Sequence, residues 1–221
     1  MTLRVFVPGD MAAVAVGADA VAAALASEAR KAGIELQIVR NGTRGMFELE
    51  TLVEVETASG RVGYGPIYPE DVVELFAHGL LNGVDHPKCV GLVEEIPFLK
   101  RQTRLTFARC GVVDPACPAD YRAHGGWRGL EKALSLTTEQ MIDIVKVSGL
   151  RGRGGAGFPT GIKWDTVRLA PGGQKYIVCN ADEGDSGTFA DRMILEGDPF
   201  LLIEGMAIAG VSVGATYGDV Y

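Results

Sequence analysis

At 221 residues, 47% hydrophobic and 22% charged, the chain has the composition of a globular protein with core enough for one large domain or two small ones. A formal net charge of −7 excludes the basic face that a duplex nucleic-acid binder turns toward phosphates. Four cysteines (Cys89, Cys110, Cys117, Cys179) without a CxxC pair or metal-ligand spacing suit a reducing cytoplasm, with no metal and no disulfide expected.

Leu3–Pro8 reads as a first strand, Gly17–Ala32 as a helix stopped by Gly33, and Ile34–Arg40 as the next strand. Leu52–Glu56 and Val62–Tyr64 form a hairpin around Ser59-Gly60, and Pro69 opens a helix over Glu70–Gly79. The order β-α-β-β-β-α makes a small α/β domain over residues 1–85. Asn82-Gly83, His86-Pro87 and Ile96-Pro97 mark a connector over 86–110, with Arg104–Ala108 a short strand at its end. The second domain, 111–221, begins in loop and continues with helices over Trp127–Leu136 and Thr138–Val147. Thr137 and Gln140 supply a capping box for the second of these. A helix over Gly161–Leu169, a buried strand over Lys175–Asn180, a helix from Pro199 to about Gly214 and the start of a strand at Tyr217–Tyr221 follow.

Two apolar stretches are no membrane elements. Met11–Ala26 carries Asp19 and lacks the basic start of a signal peptide. Phe200–Ala215 is interrupted by Glu204 and too short to span a bilayer. The last strand breaks off mid-element, so the sequence is expected to be part of a longer chain.

Gly149, Gly152, Gly154, Gly155, Gly157 and Gly161 crowd one stretch, with Arg151, Arg153 and Lys163 around them. Glycine reaches positive φ and leaves no side chain between backbone N–H groups and a flat or anionic ligand. Gly152-x-Gly154-x-x-Gly157 satisfies GxGxxG, but a Rossmann site needs a strand before the loop, and here a capped helix precedes it. A Walker A loop needs Gly-Lys-Ser/Thr, against Gly161-Ile162-Lys163-Trp164. An RGG box is out of place once, in an acidic chain, between ordered elements. A plain hinge would lose backbone entropy to no purpose, which leaves a binding loop. A second dense stretch, Tyr176–Thr188, reads as a strand emptying into an acidic turn, and the two stretches together are expected to wall one cofactor site.

Leu150–Trp164, then Asn180-Ala181-Asp182-Glu183, then Gly187–Arg192 closely resemble the NADH-binding, FMN-containing flavoprotein subunits. That family includes the 51-kDa subunit of respiratory complex I, the diaphorase subunit of NAD-reducing hydrogenases and the beta subunit of NAD-dependent formate dehydrogenases. The likeness runs from about Arg104 to Tyr221. Arg4–Pro8, Asn41–Val55 and Tyr64–Val72 resemble the family's thioredoxin-like [2Fe-2S] domain, where a G-C-x-G-x-C stretch supplies two cluster ligands. The matching residues are Gly42-Thr43-Arg44-Gly45-Met46-Phe47, so both thiolates are replaced and no cluster can be held there. A fused, cluster-free domain of this kind looks most like the formate dehydrogenase beta subunit, with the hydrogenase diaphorase second and a non-catalytic docking fragment as the alternative from another class.

The resemblance implies an α/β fold, with a small thioredoxin-like N-terminal domain followed by an FMN- and NADH-binding domain. It implies hydride transfer between NAD(H) and FMN and single-electron exchange with iron–sulfur clusters, a [4Fe-4S] cluster being expected only beyond Tyr221. Gly152, Arg153, Gly154, Gly155, Lys163, Asn180, Asp182 and Glu183 are then expected at FMN, and Gly157, Phe158 and Asp185 at NAD. The flavin itself carries the chemistry, and no side chain is expected to be catalytic. Asp185 stands where the family has a glutamate, and Asp165-Thr166 where it often has an adenine-stacking aromatic, which bears on NADH against NADPH. Trp127 and Trp164 are expected as packing residues. Implied partners are a small thioredoxin-like [2Fe-2S] gamma-type subunit and a catalytic formate dehydrogenase subunit, with the cluster-free domain docking such a neighbour.

Overall fold

In the computed structural model, which describes residues 3–221, β1 (Leu3–Phe6) and β2 (Leu36–Val39) pair in parallel. They are joined through α1 (Met11–Ala15) and α2 (Ala18–Lys31). Asp10 caps α1, its Oδ1 accepting from the Ala12 and Ala13 N–H groups at 3.1 and 3.3 Å. Gly17, at φ 104°, separates the two helices in a backbone conformation that other residues resist. On α2, Ala18, Val21, Ala22, Leu25 and Ala29 form one buried stripe at helical spacing. The stripe packs with Val5, Val7, Val53, Val55 and Tyr64 from the sheet. Each fully buried Val or Leu there contributes roughly 1.5–3 kcal/mol.

β3 (Val53–Thr57) and β4 (Gly60–Tyr64) form the expected hairpin, and β5 (Cys89–Leu92) adds antiparallel to β4. The sheet order is β2-β1-β3-β4-β5, with β3 antiparallel to β1. A parallel pair crossed over by a helix and flanked by an antiparallel hairpin makes the first unit a mixed α/β fold, as the order of elements in the sequence predicts. Pro69 starts a 3-10 turn that leads into α3 (Val72–Ala77). A short α4 (Pro97–Lys100) follows β5.

The chain divides into two compact units, one running through Asp120 and taking in Met193–Asp198, the other formed by Tyr121–Arg192 and Pro199–Tyr221. The stretch expected as a connector is bonded into the first unit. It supplies β5, and the Arg104 Nη2 donates to the Arg44 carbonyl at 3.2 Å; just beyond it the Gly111 carbonyl accepts from the Asn41 Nδ2 at 2.7 Å. The strand expected over Arg104–Ala108 does not form. Ala108 N–H turns back to the Leu105 carbonyl at 3.3 Å, and Leu105 is 84% exposed, so alternation there reflects turns and not a sheet face. All four cysteines are free.

Around the Gly42–Phe47 loop the first unit has a buried ion-pair network. Arg44 grips Glu54 with Nε at 2.8 Å and Nη2 at 2.9 Å and reaches Glu94 with Nη1 at 2.9 Å. Arg61 joins Glu54 at 3.2 Å and lies 3.4 Å over the Phe6 ring. Thr43, at one of the two cysteine positions, is buried and donates to Glu50 at 2.6 Å, whereas Phe47, at the other, is 41% exposed.

The second unit is built from α6 (Arg128–Ala133), α7 (Thr138–Val147), α8 (Thr160–Leu169), α10 (Pro199–Val213) and the parallel pair β6 (Tyr176–Cys179) and β7 (Tyr217–Val220). Before α6 comes α5 (Pro118–Ala123), and between β6 and α10 lies α9 (Ala190–Gly197), a helix that the sequence pattern does not announce. The strand expected to be buried is not: Tyr176 and Val178 are 56% and 58% exposed, because β6 has a single strand neighbour. No helix among the described residues is long and apolar enough to cross a membrane.

In α10 the one charged residue within the apolar run is Glu204, and it is buried. Its Oε2 accepts from the Tyr121 hydroxyl and from the Trp127 N–H at 2.8 Å, and its Oε1 from the Leu130 N–H at 2.9 Å. Burial alone would raise this carboxyl, but the Tyr121 hydroxyl and the N–H groups of Leu130, Trp127 and Gly129 outweigh it and hold it below the usual carboxylate value. Glu204 thus caps the first turn of α6 from a neighbouring helix.

Candidate cofactor site

α7 begins at the capping box read from the sequence: Thr137 Oγ1 accepts from the Gln140 N–H at 3.3 Å, and Gln140 Oε1 from the Thr137 N–H at 2.9 Å. The helix ends at Ser148, and Gly149 at φ 69° turns the chain out. A bridge between Arg151 and Pro159 then pinches the glycine loop at its base. Gly152 N–H bonds the Phe158 carbonyl and Thr160 N–H the Leu150 carbonyl, both at 2.9 Å. Arg151 Nε donates to the Gly157 carbonyl at 2.6 Å, so this arginine braces the loop from within. The loop is therefore a closed ring of backbone delivered to the start of α8.

Gly161 has a different task from the other glycines. A Cβ there would lie 2.7 Å from the Lys146 backbone nitrogen and 2.9 Å from its Cα, so α7 and α8 meet backbone to backbone at this point. Gly161→Ala is expected to force the helices apart and cost about 1–3 kcal/mol, read as a lowered midpoint in denaturant unfolding. An unchanged midpoint would show that the contact is not made in solution.

A cleft of 610 Å³ opens beside the loop, a size that suits a drug- or cofactor-sized ligand. Its loop wall includes Gly152, Gly154, Gly157 and Phe158, α8 adds Lys163, Trp164 and Val167, and the floor is Tyr176–Val178 with Ala209 and Val213 of α10. Of the residues expected at the site, Gly152, Gly154, Gly157, Phe158 and Lys163 therefore come together on one cleft, while Arg153 and Gly155 stand on the same loop off its lining. Gly155 and Gly157 take φ of 104° and 60°, conformations that favour glycine. Gly154 has no such need, and a Cβ built on it meets nothing within 4 Å. Nothing in the fold accounts for its missing side chain, and the space it leaves belongs to the cleft.

Lys163 has no ion-pair partner among the described residues, so its charge is available to a ligand. Two other cations nearby in sequence are committed. Lys146 and Arg168 hold Asp165 at 2.6 and 2.9 Å, and these bonds, Lys146 first, keep its carboxyl below the usual value. Asp165 is thus part of an α7–α8 clamp, extended by Arg168 to Glu139 at 2.9 Å.

The acidic turn after β6 lies off the cleft lining. Asn180 Oδ1 accepts from the Asp182 N–H at 3.1 Å, closing an Asx turn. Glu183 sits at φ 47° and spends both carboxylate oxygens locally, Oε1 on the Thr188 hydroxyl at 2.7 Å and Oε2 on the Arg192 N–H at 3.0 Å. Burial would raise its carboxyl, but the Thr188 hydroxyl and the N–H groups opening α9 keep it low. Asp182 and Asp185 are exposed, and the Asp185 carbonyl accepts from Thr188.

Trp127 packs as expected, 5.1 Å from Tyr121 edge-on and 6.0 Å from Phe200. Trp164, also expected as packing, is instead part of the cleft wall with Tyr176. Tyr176 opens the Tyr176–Thr188 stretch expected to wall the site, whereas the sequence reading gives Trp164 to packing. The available signal was spacing, since Thr160, Lys163, Trp164 and Val167 recur on one face of α8.

Residues 145–221 match the family described as the Nuo51 FMN-binding domain. The HndC subunit of the NADP-reducing hydrogenase of Solidesulfovibrio fructosivorans is 54% identical over 122 residues, 55% of this chain and 25% of that protein. An NADH-quinone oxidoreductase subunit of Rhizobium meliloti is 55% identical over 102 residues, 46% of this chain and 24% of that protein. The alpha subunit of the NAD-reducing hydrogenase HoxS of Cupriavidus necator is 47% identical over 105 residues, 47% of this chain and 17% of that protein. The chain thus spans at most 25% of the length of these relatives. Glycine loop, cleft and match coincide: both the loop and the cleft fall within residues 145–221, the part of the chain that is similar to the Nuo51 FMN-binding domain.

Proposed function

We propose that this chain supplies the FMN- and NAD(H)-binding module of a diaphorase-type electron-transfer subunit. The observation that carries this reading is Gly154, whose absent side chain serves no need of the fold and enlarges the cleft. When bound, FMN supplies hydride chemistry toward a nicotinamide and single-electron chemistry toward iron–sulfur centres. The chain's own part is placement. Gly152, Gly154 and Gly155 let a flat ring approach backbone, and Arg153 and Lys163 offer charge to phosphate or to an anionic ring. Gly157 and the exposed Phe158 offer the dinucleotide a backbone face and an aromatic face. Asn180, Asp182 and Glu183 form the polar turn for the flavin's hydroxyl chain, and Asp185 stands where a carboxylate would repel the extra phosphate of NADPH.

The finer assignment is the beta subunit of a cytoplasmic NAD-dependent formate dehydrogenase, beside a small [2Fe-2S] gamma-type subunit and a catalytic subunit. It rests on the fused first unit having Thr43 and Phe47 in place of the cluster cysteines. The names of the relatives favour a second reading, the same module in an NAD-reducing hydrogenase or a complex I-like NADH dehydrogenase.

FMN is to be titrated into the chain, followed by anaerobic NADH, with absorbance read in the visible. Binding with flavin bleaching is expected, and Gly154→Val should weaken FMN at least tenfold while leaving thermal stability within about 0.5 kcal/mol. A chain that takes up no flavin, or a valine variant that binds as well as the parent, would sink the proposal.

A further inference from the structure

We propose that the first unit binds a small oxyanion, of the carboxylate or phosphate class, in a cavity beside Arg104. The cavity holds 220 Å³, several times the roughly 30 Å³ of one water, and its polar walls are Arg44, Glu94, Gln102 and Arg104. The Arg104 Nε is buried and has no hydrogen-bond partner among the described residues, while its Nη2 is anchored on the Arg44 carbonyl at 3.2 Å. The Arg44 guanidinium cannot serve the Arg104 Nε, because it only donates, and its own N–H groups are spent on Glu54 and Glu94.

Charge balance points the same way. The linked group contains four cations, Arg4, Arg44, Arg61 and Arg104, against three carboxylates, Glu54, Glu56 and Glu94. Water could fill the hydrogen-bonding vacancy at Nε, but only an anion also offsets the unpaired charge. Gln102 lies on the cavity wall with its amide nitrogen bonded to the Phe98 carbonyl at 3.0 Å, so it brings no charge of its own. The site is separate from the glycine-loop cleft and shares no residue with it.

The test is titration calorimetry of the whole chain with acetate and with inorganic phosphate, at an ionic strength held constant with chloride. Saturable binding of one or both is expected, and which of them binds tells carboxylate from phosphate. Arg104→Gln should weaken it at least tenfold. If Arg104→Gln does not fold, Gln102→Glu decides: its built-in carboxylate should satisfy Arg104 and abolish the titration. Absence of saturable binding by either anion overturns the proposal. So does a folded Arg104→Gln or Gln102→Glu chain that binds like the parent.

Discussion

Replacing Glu204 by alanine is expected to lower the stability of the second unit by about 3 kcal/mol, through loss of a buried cap and not of a surface charge. Truncation leaves the N–H groups of Trp127 and Leu130 and the Tyr121 hydroxyl facing a gap that no other carboxylate fills. Unmade buried hydrogen bonds cost more than made ones gain, which sets the size of the effect. Both tryptophans, Trp127 and Trp164, lie in this unit, so their fluorescence reports its unfolding without contribution from the first. A fall of roughly 12–24 °C in the fluorescence midpoint is expected for a unit of this size. The folded carboxyl is held below its usual value, so its contribution is present above the unfolded value and lost as pH falls through the folded one. Glu204→Gln should therefore lose part of the parent's acid sensitivity. A Glu204→Ala chain melting within a degree of the parent would refute the assignment.

Glu50→Gln is expected to act in the opposite direction. Glu50 is 6% exposed, accepts from Thr43 at 2.6 Å and from the Leu52 N–H at 3.0 Å, and is pushed up to about 7, chiefly by burial. Between its ordinary value of 4.5 and about 7 the native chain keeps a proton that the unfolded chain has released. In that window the unfolded state binds fewer protons, so stability falls as pH rises, by on the order of 3 kcal/mol across the window. The glutamine variant removes this slope and should be the more stable chain at pH 8. Burial also raises Asp10, so the difference between parent and variant isolates Glu50. Far-UV circular dichroism in urea at pH 5 and pH 8 measures it, with tryptophan fluorescence as the unaffected control. Equal slopes in both chains would refute the prediction.

What could be read from residues alone was local. The Thr137–Gln140 box, the Ser59-Gly60 hairpin and the proline starts at Pro69 and Pro199 each depend on neighbours in sequence, and each is found in the fold. The glycine loop was legible for the same reason, because its composition admits few uses. What escaped depended on distant partners. β5 reads as a connector until β4 lies beside it, and Arg104–Ala108 alternates without any strand to pair with. α9 was hidden because its first turn is capped by Glu183, several residues away across the acidic loop. Nothing in the sequence marks Arg44 as an anchor, and only its pairing with Glu54 and Glu94 shows that it holds the loop. Trp164 could not be told from a core tryptophan until the floor of the cleft was in place.

The two-stranded parallel pair of the second unit has a practical corollary. Among the described residues β6 and β7 each have one strand neighbour, with Tyr176, Val178, Tyr217 and Val220 more than half exposed along them. Parallel sheets are ordinarily roofed on both faces, and unpaired amides on a flat, β-prone edge recruit any extended segment that arrives. At the concentrations used for crystallisation or magnetic resonance, self-association of this chain should begin at that edge. A lysine introduced on the outward face of β7 would be the first change to try for solubility.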